Sequence, residues 1–222
     1  VLLISAPSGL EEAFFALSQP ARRLETRLDA PAIDPAHLVA TFAKAGLTFR
    51  SPNAVEPVTQ PNPALVVRPK PGFSRWYFGH LLTPLLNGSQ TGGRLTLNEL
   101  LIRRGQEPPP HVHFGEDEGY YLLDGQITFH CEEHSYVAQT GDFVFLPRGL
   151  AHWYHIHTET GRFLLFTTPS GLENYFMEHS QPAEALVLPP RPANAYAPEL
   201  MSRARVKYGL EYLPAGAETL GH

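Results

Sequence analysis

Short runs in which apolar and polar residues alternate occupy much of the segment 64–168, and this pattern predicts β-strands. The clearest runs are LTLNELLI at 95–102, EGYYLL at 118–123, QITFHC at 126–131, DFVFLP at 142–147 and RFLLFTT at 162–168. We expect the dipeptides Asn87-Gly88 and Asp124-Gly125 to close hairpins between such strands. Regular short strands with such turns predict a mainly β sandwich or closed barrel with a few helices.

The pattern near the start of the chain returns near its end. PSGLEEAFFALSQPA at 7–21 aligns without a gap onto PSGLENYFMEHSQPA at 169–183, and ten of the fifteen positions are identical. Because the second copy follows a strand-rich segment, we interpret residues 1–50 as the tail of a preceding, mostly missing domain of the same type. The alternative is a single domain that contains two similar helical hairpins.

Within the first fifty residues, the pattern predicts a strand at VLLIS and two helices. One helix runs from Leu10 to Ser18 with Ser8 as its N-cap, and the other runs from Pro35 to Ala45 and ends at Gly46. A proline-rich connection, SPNAVEPVTQPNP, follows. The predicted segments are the tail (1–50), the linker (51–63), the barrel (64–168) and a C-terminal helical tail (169–222).

Composition narrows the classes of function. Of the 222 residues, 43% are hydrophobic and 18% are charged, which is enough apolar material for a folded core. A formal charge of -5 without a Lys/Arg run argues against nucleic acid as a partner. No apolar stretch reaches the length of a membrane span, and VLLIS is too short for a signal peptide, so we expect a cytoplasmic protein unless a true N-terminus with a leader is missing. The lone Cys131 forms no internal disulfide.

Four metal-ligating side chains lie close together in the barrel segment. His111 and His113 alternate on one predicted strand, so both imidazoles point to the same side. Glu118 enters from the next strand, and His152 enters from a strand shaped by Pro147 and Gly149. Three imidazoles and one carboxylate suit a divalent transition metal, namely Fe, Mn, Ni, Co, Cu or Zn. The same alternation places His155 and His157 on the opposite face.

The spacing of these residues resembles the two motifs of the cupin family. The first motif is represented by Gly105, His111, His113, Glu118 and Gly125, and the second by Gly141, Pro147, Gly149 and His152. One departure is Ile156, which stands where the second motif usually closes with asparagine. SRWYFGHLLTPLLNGSQTGG at 74–93 and PSGLENYF at 169–176 resemble the quercetin 2,3-dioxygenases, especially their two-domain bacterial members. The resemblance implies a jelly-roll barrel with peripheral helices, preceded by the strand and helices of a second cupin.

This resemblance also implies an activity. His111, His113, Glu118 and His152 inherit the metal-ligand positions, and Glu118 is the implied proton acceptor when a flavonol or related aromatic enol reacts with O2 and is cleaved with loss of carbon monoxide. Strand alternation from Glu118 and His152 points Tyr120, Leu122 and Tyr154 towards the metal. Further candidates for an aromatic, apolar substrate pocket are Phe129, Phe145 and Phe163, whose facing depends on the register of their strands. One alternative is a non-catalytic, metal-bound cupin that binds or senses a small aromatic ligand, and another is a structural partner of a catalytic half.

An apolar first strand needs a neighbouring sheet to pair with. We therefore expect either a homodimer or association with an N-terminal cupin fragment, and no nucleic-acid or membrane partner.

Overall fold

From residue 64 onward the chain builds two antiparallel sheets, and the residues before it form a separate unit. The computed structural model describes residues 10–18, 34–47, 66–192 and 196–214. It divides into two compact units, Val1–Pro63 and Ala64–His222. The predicted first strand at VLLIS, the N-cap Ser8 and the linker at 51–63 lie outside the described residues. None of the described helices is both long and apolar enough to span a membrane.

The described residues form the following elements. The helices are α1 (Leu10–Leu17), α2 (Pro35–Lys44), α3 (Gly88–Thr91), α4 (Glu173–Glu178) and α5 (Pro198–Tyr208). The strands are β1 (Arg75–Tyr77), β2 (His80–Leu86), β3 (Thr96–Arg103), β4 (His111–His113), β5 (Asp117–Asp124), β6 (Gln126–Cys131), β7 (His134–Gln139), β8 (Phe143–Leu146), β9 (His152–Ile156), β10 (Thr160–Thr168), β11 (Ser180–Pro182) and β12 (Leu210–Tyr212).

In the first unit, α1 and α2 form the helix pair that the sequence predicts. Asp34 caps α2 because its carboxylate accepts the backbone N–H groups of Ala36 and His37. The rings of Phe14 and Phe42 meet edge to face, with their centroids 5.7 Å apart. An aromatic contact therefore joins one helix to the other.

The second unit is a two-sheet jelly roll, which confirms the predicted fold class. One sheet has the strand order β11-β1-β2-β3-β10-β5-β8, and the other has the order β12-β4-β9-β6-β7. Along β3 and β10, every second residue is buried, as expected for strands with one face in the core. Inward side chains from both sheets meet there, and the most buried of them include Leu122, Ile127, Phe129, Ile156 and Phe163.

The two predicted hairpin turns have different outcomes. Asn87 is the N-cap of α3, with a capping box to Gln90, so the connection from β2 to β3 is a short helix instead of a tight turn. Gly125 has a φ of 101°, but the strands on either side of it belong to different sheets. The prediction is therefore wrong for Asp124-Gly125, because the chain crosses between sheets there. Asn87-Gly88 does lie between the paired antiparallel strands β2 and β3, but in a longer connection that contains α3. The hairpin in this region joins β6 to β7.

The segment 169–222, which we expected to be helical, carries strands as well. β11 pairs with β1, and β12 pairs with β4, so each sheet gains an edge strand from the C-terminal segment. In the β12 pairing, Leu210 lies opposite His113 and Tyr212 lies opposite His111. Short strands of this kind cover sheet edges whose backbone groups would otherwise lack partners. The pairing also brings C-terminal side chains next to the two histidines of β4.

Candidate metal centre

Three strands bring the four predicted ligands together. His111 and His113 lie on β4, Glu118 on β5 and His152 at the start of β9. His111 and His152 are directly opposite each other in the antiparallel pair of β4 and β9. All four are buried, with exposed fractions of 5% or less. Among the residues that the structure describes, they form the one group of three or more His, Cys, Asp or Glu side chains that could hold a metal ion.

The geometry of the group suits a single ion. One ligand atom from each residue lies within 4.8 Å of every other. His113 Nε2 is 3.5 Å from Glu118 Oε1, and His152 Nε2 is 3.2 Å from Glu118 Oε2. Three imidazole nitrogens and one carboxylate oxygen form a donor set of borderline softness, which fits a divalent transition metal.

Hydrogen bonds orient two of the imidazoles. His111 Nδ1 donates to the carbonyl oxygen of Pro109 at 2.8 Å, and His152 Nδ1 donates to that of Leu150 at 3.1 Å. Because a neutral imidazole carries one proton, each ring keeps its Nε2 lone pair free. His152 Nε2 is buried and makes no hydrogen bond. A buried acceptor without a partner is unfavourable, and a bound cation would satisfy it.

The protonation states also fit a cation. Burial lowers the pKa of His113 to about 4 and that of His111 well below its usual value, with a further contribution to His111 from His152 and His113. Burial by itself raises the pKa of Glu118, but the imidazoles of His113 and His152 outweigh burial and hold this pKa below its usual range. Neutral imidazoles beside an ionised carboxylate are the forms that bind metal. The residues present therefore fit the divalent ion that their spacing predicts.

An ion pair connects the loop before His152 to the start of β5. Arg148 donates through its backbone N–H to Asp117 Oδ1 at 2.9 Å and through Nη2 to Oδ2 at 2.6 Å. Arg148 Nη1 also donates to the carbonyl oxygen of Gly115. Glu118 directly follows Asp117, so these contacts hold the backbone beside two of the four ligands.

Glu116 is buried, although its sequence context favours an exposed turn. It is 6% exposed, and its Oε2 lies 3.9 Å from His113 Nδ1 without a hydrogen-bond partner. Burial, and then repulsion from Glu118 and Glu173, raises the pKa of Glu116 to about 7. Neither residue type nor spacing distinguishes this side chain from Asp117. Only the position of its backbone in the fold buries it.

A small cavity of about 40 Å³ lies beside the ligands and has mainly aromatic walls. Three of the six predicted pocket residues line it, namely Tyr120, Tyr154 and Phe163. Leu122 and Phe129 are fully buried, but they belong to the core and are not among the lining residues. Tyr120 donates its hydroxyl hydrogen to Glu118 Oε2 at 2.8 Å, which links the cavity wall to a ligand.

Phe145 does not reach the cavity, and its assignment to the pocket is wrong. Its side chain is 52% exposed. In the pairing of β5 with β8, Phe145 lies opposite Gly119, whereas Leu146 lies opposite Glu118. Since paired residues share a face, Leu146 points inward and Phe145 points to the outer surface.

Sequence reasoning missed much of the wall that comes from the C-terminal segment. These lining residues are Leu172, Tyr175, Phe176, Tyr196, Leu210 and Tyr212. The apolar spacing of Leu172, Tyr175 and Phe176 is i, i+3, i+4, which indicates one buried helix face. That signal was available in the repeated PSGLENYF segment, but it does not identify the surface that the helix covers.

The histidines predicted to face away from the metal do so. His155 and His157 are exposed on β9 and just after it, and their rings contact each other edge to face at 5.1 Å. His157 Nε2 is 2.7 Å from the hydroxyl of Thr128 on the neighbouring strand. Both lie on the outer face of the sheet and take no part in the buried group.

Comparisons with known proteins agree with this geometry. Residues 99–168, which include all four ligands, match the family described as Cupin domain. The chain is 27% identical over 132 residues to quercetin 2,3-dioxygenase of Bacillus subtilis (strain 168), covering 59% of this chain and 38% of that protein. The chain therefore corresponds to less than half of the length of this relative.

Two of the solved structures that resemble this chain have lower sequence identity. KdgF from Halomonas sp. is 18% identical, with a TM-score of 0.37 over 41% of this chain and 79% of that one. An RmlC-like cupin from Shewanella frigidimarina is 19% identical, with a TM-score of 0.38 over 44% and 82%. With the jelly roll, the family match and the ligand spacing in agreement, residues 99–168 form the central part of a cupin domain.

Proposed function

We propose that this cupin domain is the metal-binding part of a dioxygenase that cleaves a flavonol or a related aromatic enol. The observation that carries the proposal is a buried set of three imidazoles and one carboxylate beside an aromatic cavity. The likeness to the Bacillus subtilis quercetin 2,3-dioxygenase supports the same choice of reaction. In that reaction O2 adds both atoms to the substrate, the ring opens to an ester, and one carbon leaves as carbon monoxide.

Four side chains would hold the ion, namely His111, His113, Glu118 and His152. When bound, a divalent transition metal supplies a Lewis acid that lowers the pKa of a substrate hydroxyl and gives access to dioxygen chemistry. Glu118 is the group that accepts the hydroxyl proton. Its Oε2 already accepts a hydrogen bond from Tyr120, so the proton is received at Oε1.

Aromatic and aliphatic side chains complete the site. Tyr154, Phe163 and Leu165 form apolar walls that fit the faces of a flat ring. The same walls keep bulk water away from an activated, anionic substrate, which protects it from side reactions. Among the described lining residues there is no Lys or Arg to bind a phosphate group.

The cavity is smaller than the proposed substrate. Its volume of about 40 Å³ is room for a few water molecules, whereas sites for ligands of drug size measure roughly 300–1,000 Å³. A flavonol therefore enters only when wall residues move. The C-terminal part of this wall includes Leu172 at the N-cap of α4, Phe176 on α4 and Tyr196 before α5.

The proposal is tested by reconstitution and turnover. Protein freed of metal with a chelator is loaded in turn with Fe, Mn, Ni, Co, Cu or Zn and incubated aerobically with quercetin. We expect bleaching of the visible absorption and release of carbon monoxide with at least one metal, and neither with metal-free protein or Glu118→Gln. A spectral shift without bleaching for every metal contradicts the enzyme and supports the alternative of a non-catalytic binding or sensing cupin.

The internal repeat supports a two-domain organisation, which we also propose. Phe176 of the second copy is 7% exposed because it packs on the barrel, whereas the equivalent Phe14 of the first copy is 46% exposed. We infer that α1 covers a second cupin barrel, either an N-terminal fragment of the same protein or another copy of this chain. Light scattering across a range of concentrations tests this, and a strictly monomeric mass contradicts association between copies.

A further inference from the structure

A second cavity, larger than the one beside the metal ligands, is lined in part by residues from the outer face of β9. It measures about 550 Å³, and its lining includes Glu107, Trp153 and His155. We call it the outer cavity. Three residues, Pro108, Tyr154 and Tyr196, line both this cavity and the small one beside the metal ligands. The two cavities therefore adjoin at these three residues, which we call the shared wall.

Tyr196 is the polar member of this wall. Its hydroxyl is buried and has no hydrogen-bond partner. Its ring is held by aromatic packing, 5.1 Å from the ring of Phe78 and 5.7 Å from that of Tyr212. A buried hydroxyl without a partner is unfavourable, so a ligand that bonds to it or displaces it recovers that loss.

Glu107 defines the chemistry of the outer cavity. Its side chain is 10% exposed, and its Oε1 accepts the backbone N–H of Ile156 at 2.9 Å. His155 Nδ1 lies 3.9 Å from the same oxygen. An ionised carboxylate accepts hydrogen bonds and donates none, so it favours ligands with O–H or N–H groups and repels carboxylates and phosphates.

The aromatic lining of the outer cavity adds a second requirement for its ligand. The lining of the outer cavity includes Trp153 and Tyr154. Trp153 is itself braced by His130, whose ring stacks on it with an interplanar angle of 6° and a centroid distance of 4.7 Å. A ring wall beside a hydrogen-bond acceptor suits a neutral aromatic group that carries hydroxyls.

We propose that the outer cavity binds a neutral, hydroxylated aromatic ring at the end of the ligand remote from the metal, and that Glu107 determines this specificity. The inference rests on the proposed function, because the other end of the same ligand reaches the metal site past Tyr196. It also explains how a large substrate is accommodated beside a small inner cavity. The outer cavity has the volume of a typical ligand site, and only the shared wall must move.

The test uses two probes that share a core and differ in ring hydroxyls. Quercetin carries hydroxyls on its outer rings, and 3-hydroxyflavone lacks them. Binding of each to the zinc-loaded full chain is measured without oxygen, so that affinity is read without turnover. We expect wild type to prefer quercetin, and Glu107→Gln to reduce that preference about 10-fold while leaving the affinity for 3-hydroxyflavone unchanged.

Gln keeps an oxygen that can accept the Ile156 N–H, so the variant removes the charge with little change in shape. Glu132→Gln is the matched control, because Glu132 also accepts a backbone N–H, from Ala151, and does not line the outer cavity. We expect it to bind both probes as wild type does. Tyr196→Phe provides a second variant should Glu107→Gln fail to fold, and we expect it to weaken quercetin binding more than 3-hydroxyflavone binding.

Three results overturn the inference. Wild type binds both probes with equal affinity, Glu107→Gln loses the same factor of affinity for both probes, or neither probe binds. The failure of the proposed function is distinguishable. If quercetin binds with the expected dependence on Glu107 but is not consumed when oxygen is admitted with any metal, the outer site stands and the dioxygenase does not. Turnover of quercetin without dependence on Glu107 supports the dioxygenase and overturns the outer site.

Discussion

His80 is buried in a neutral form, and this makes the stability of the fold depend on pH. Its side chain is 1% exposed, and Nε2 donates to the carbonyl oxygen of Gln106 at 2.7 Å. Burial lowers the pKa of His80 from 6.5 to about 4, although the Gln106 hydrogen bond partly opposes this. Below pH 6.5 the unfolded chain binds a proton that the folded chain does not. The free energy of unfolding therefore falls as the pH decreases from 6.5 towards 4.

The size of the effect follows from the two pKa values. Each pH unit corresponds to about 1.4 kcal/mol, so the full interval between 6.5 and about 4 corresponds to about 3 kcal/mol. About 2 kcal/mol of this is lost between pH 8 and pH 5, where His80 of the unfolded chain is mostly protonated. That is a substantial part of the stability of an ordinary domain.

His80→Gln isolates this contribution, because Gln can still donate to the Gln106 carbonyl but has no proton to gain. Urea unfolding is measured at pH 8 and pH 5 with a chelator present, for wild type and variant. Other buried histidines contribute equally to both proteins and cancel. We expect the loss between pH 8 and pH 5 to be about 2 kcal/mol smaller in His80→Gln, and unchanged in a control, His134→Gln, at an exposed position. The same pH dependence in wild type and His80→Gln would refute the reasoning.

Three further outcomes follow from the site and the fold. Glu118→Gln and His113→Ala are expected to lose bound metal, because each removes a donor from the buried group, and undiminished occupancy by elemental analysis contradicts the ligand assignment. Tyr120→Phe removes the hydrogen bond to the Glu118 carboxylate. It should lower the free energy of unfolding by about 1.5–3 kcal/mol in urea titrations. A free energy of unfolding equal to that of wild type shows that the bond contributes nothing. Gly125→Ala places a Cβ 2.8 Å from the Thr160 carbonyl oxygen at a φ of 101°, so we expect a loss of about 2 kcal/mol by thermal denaturation, and an unchanged midpoint argues against the described turn.

Two of the metal ligands share a face through a short-range rule, whereas Glu118 and His152 are assigned from the resemblance to the cupin motifs. Side chains alternate along a strand, so His111 and His113 share a face wherever β4 lies. The same reasoning places His155 away from His152. The ends of helix α2 are also determined by nearby residues, because Pro35 begins the helix and Gly46 follows its end.

Other features depend on pairing between distant segments. Phe145 faces solvent because β8 pairs with β5 in a register that the sequence of β8 does not specify. Asn87-Gly88 and Asp124-Gly125 have the composition of hairpin turns, but one begins a helix and the other joins two sheets. These residues do favour a turn locally, but the fold decides which elements the turn connects.

By itself, the sequence determined that this chain contains a strand-rich barrel with four candidate ligands, because alternation and turn residues act over a few positions. The tertiary structure alone decided which aromatic residues line the site, that Glu116 is buried, and that Tyr196 lines two cavities. These properties arise from contacts between residues that are far apart along the chain. No local pattern encodes the register and packing that create such contacts.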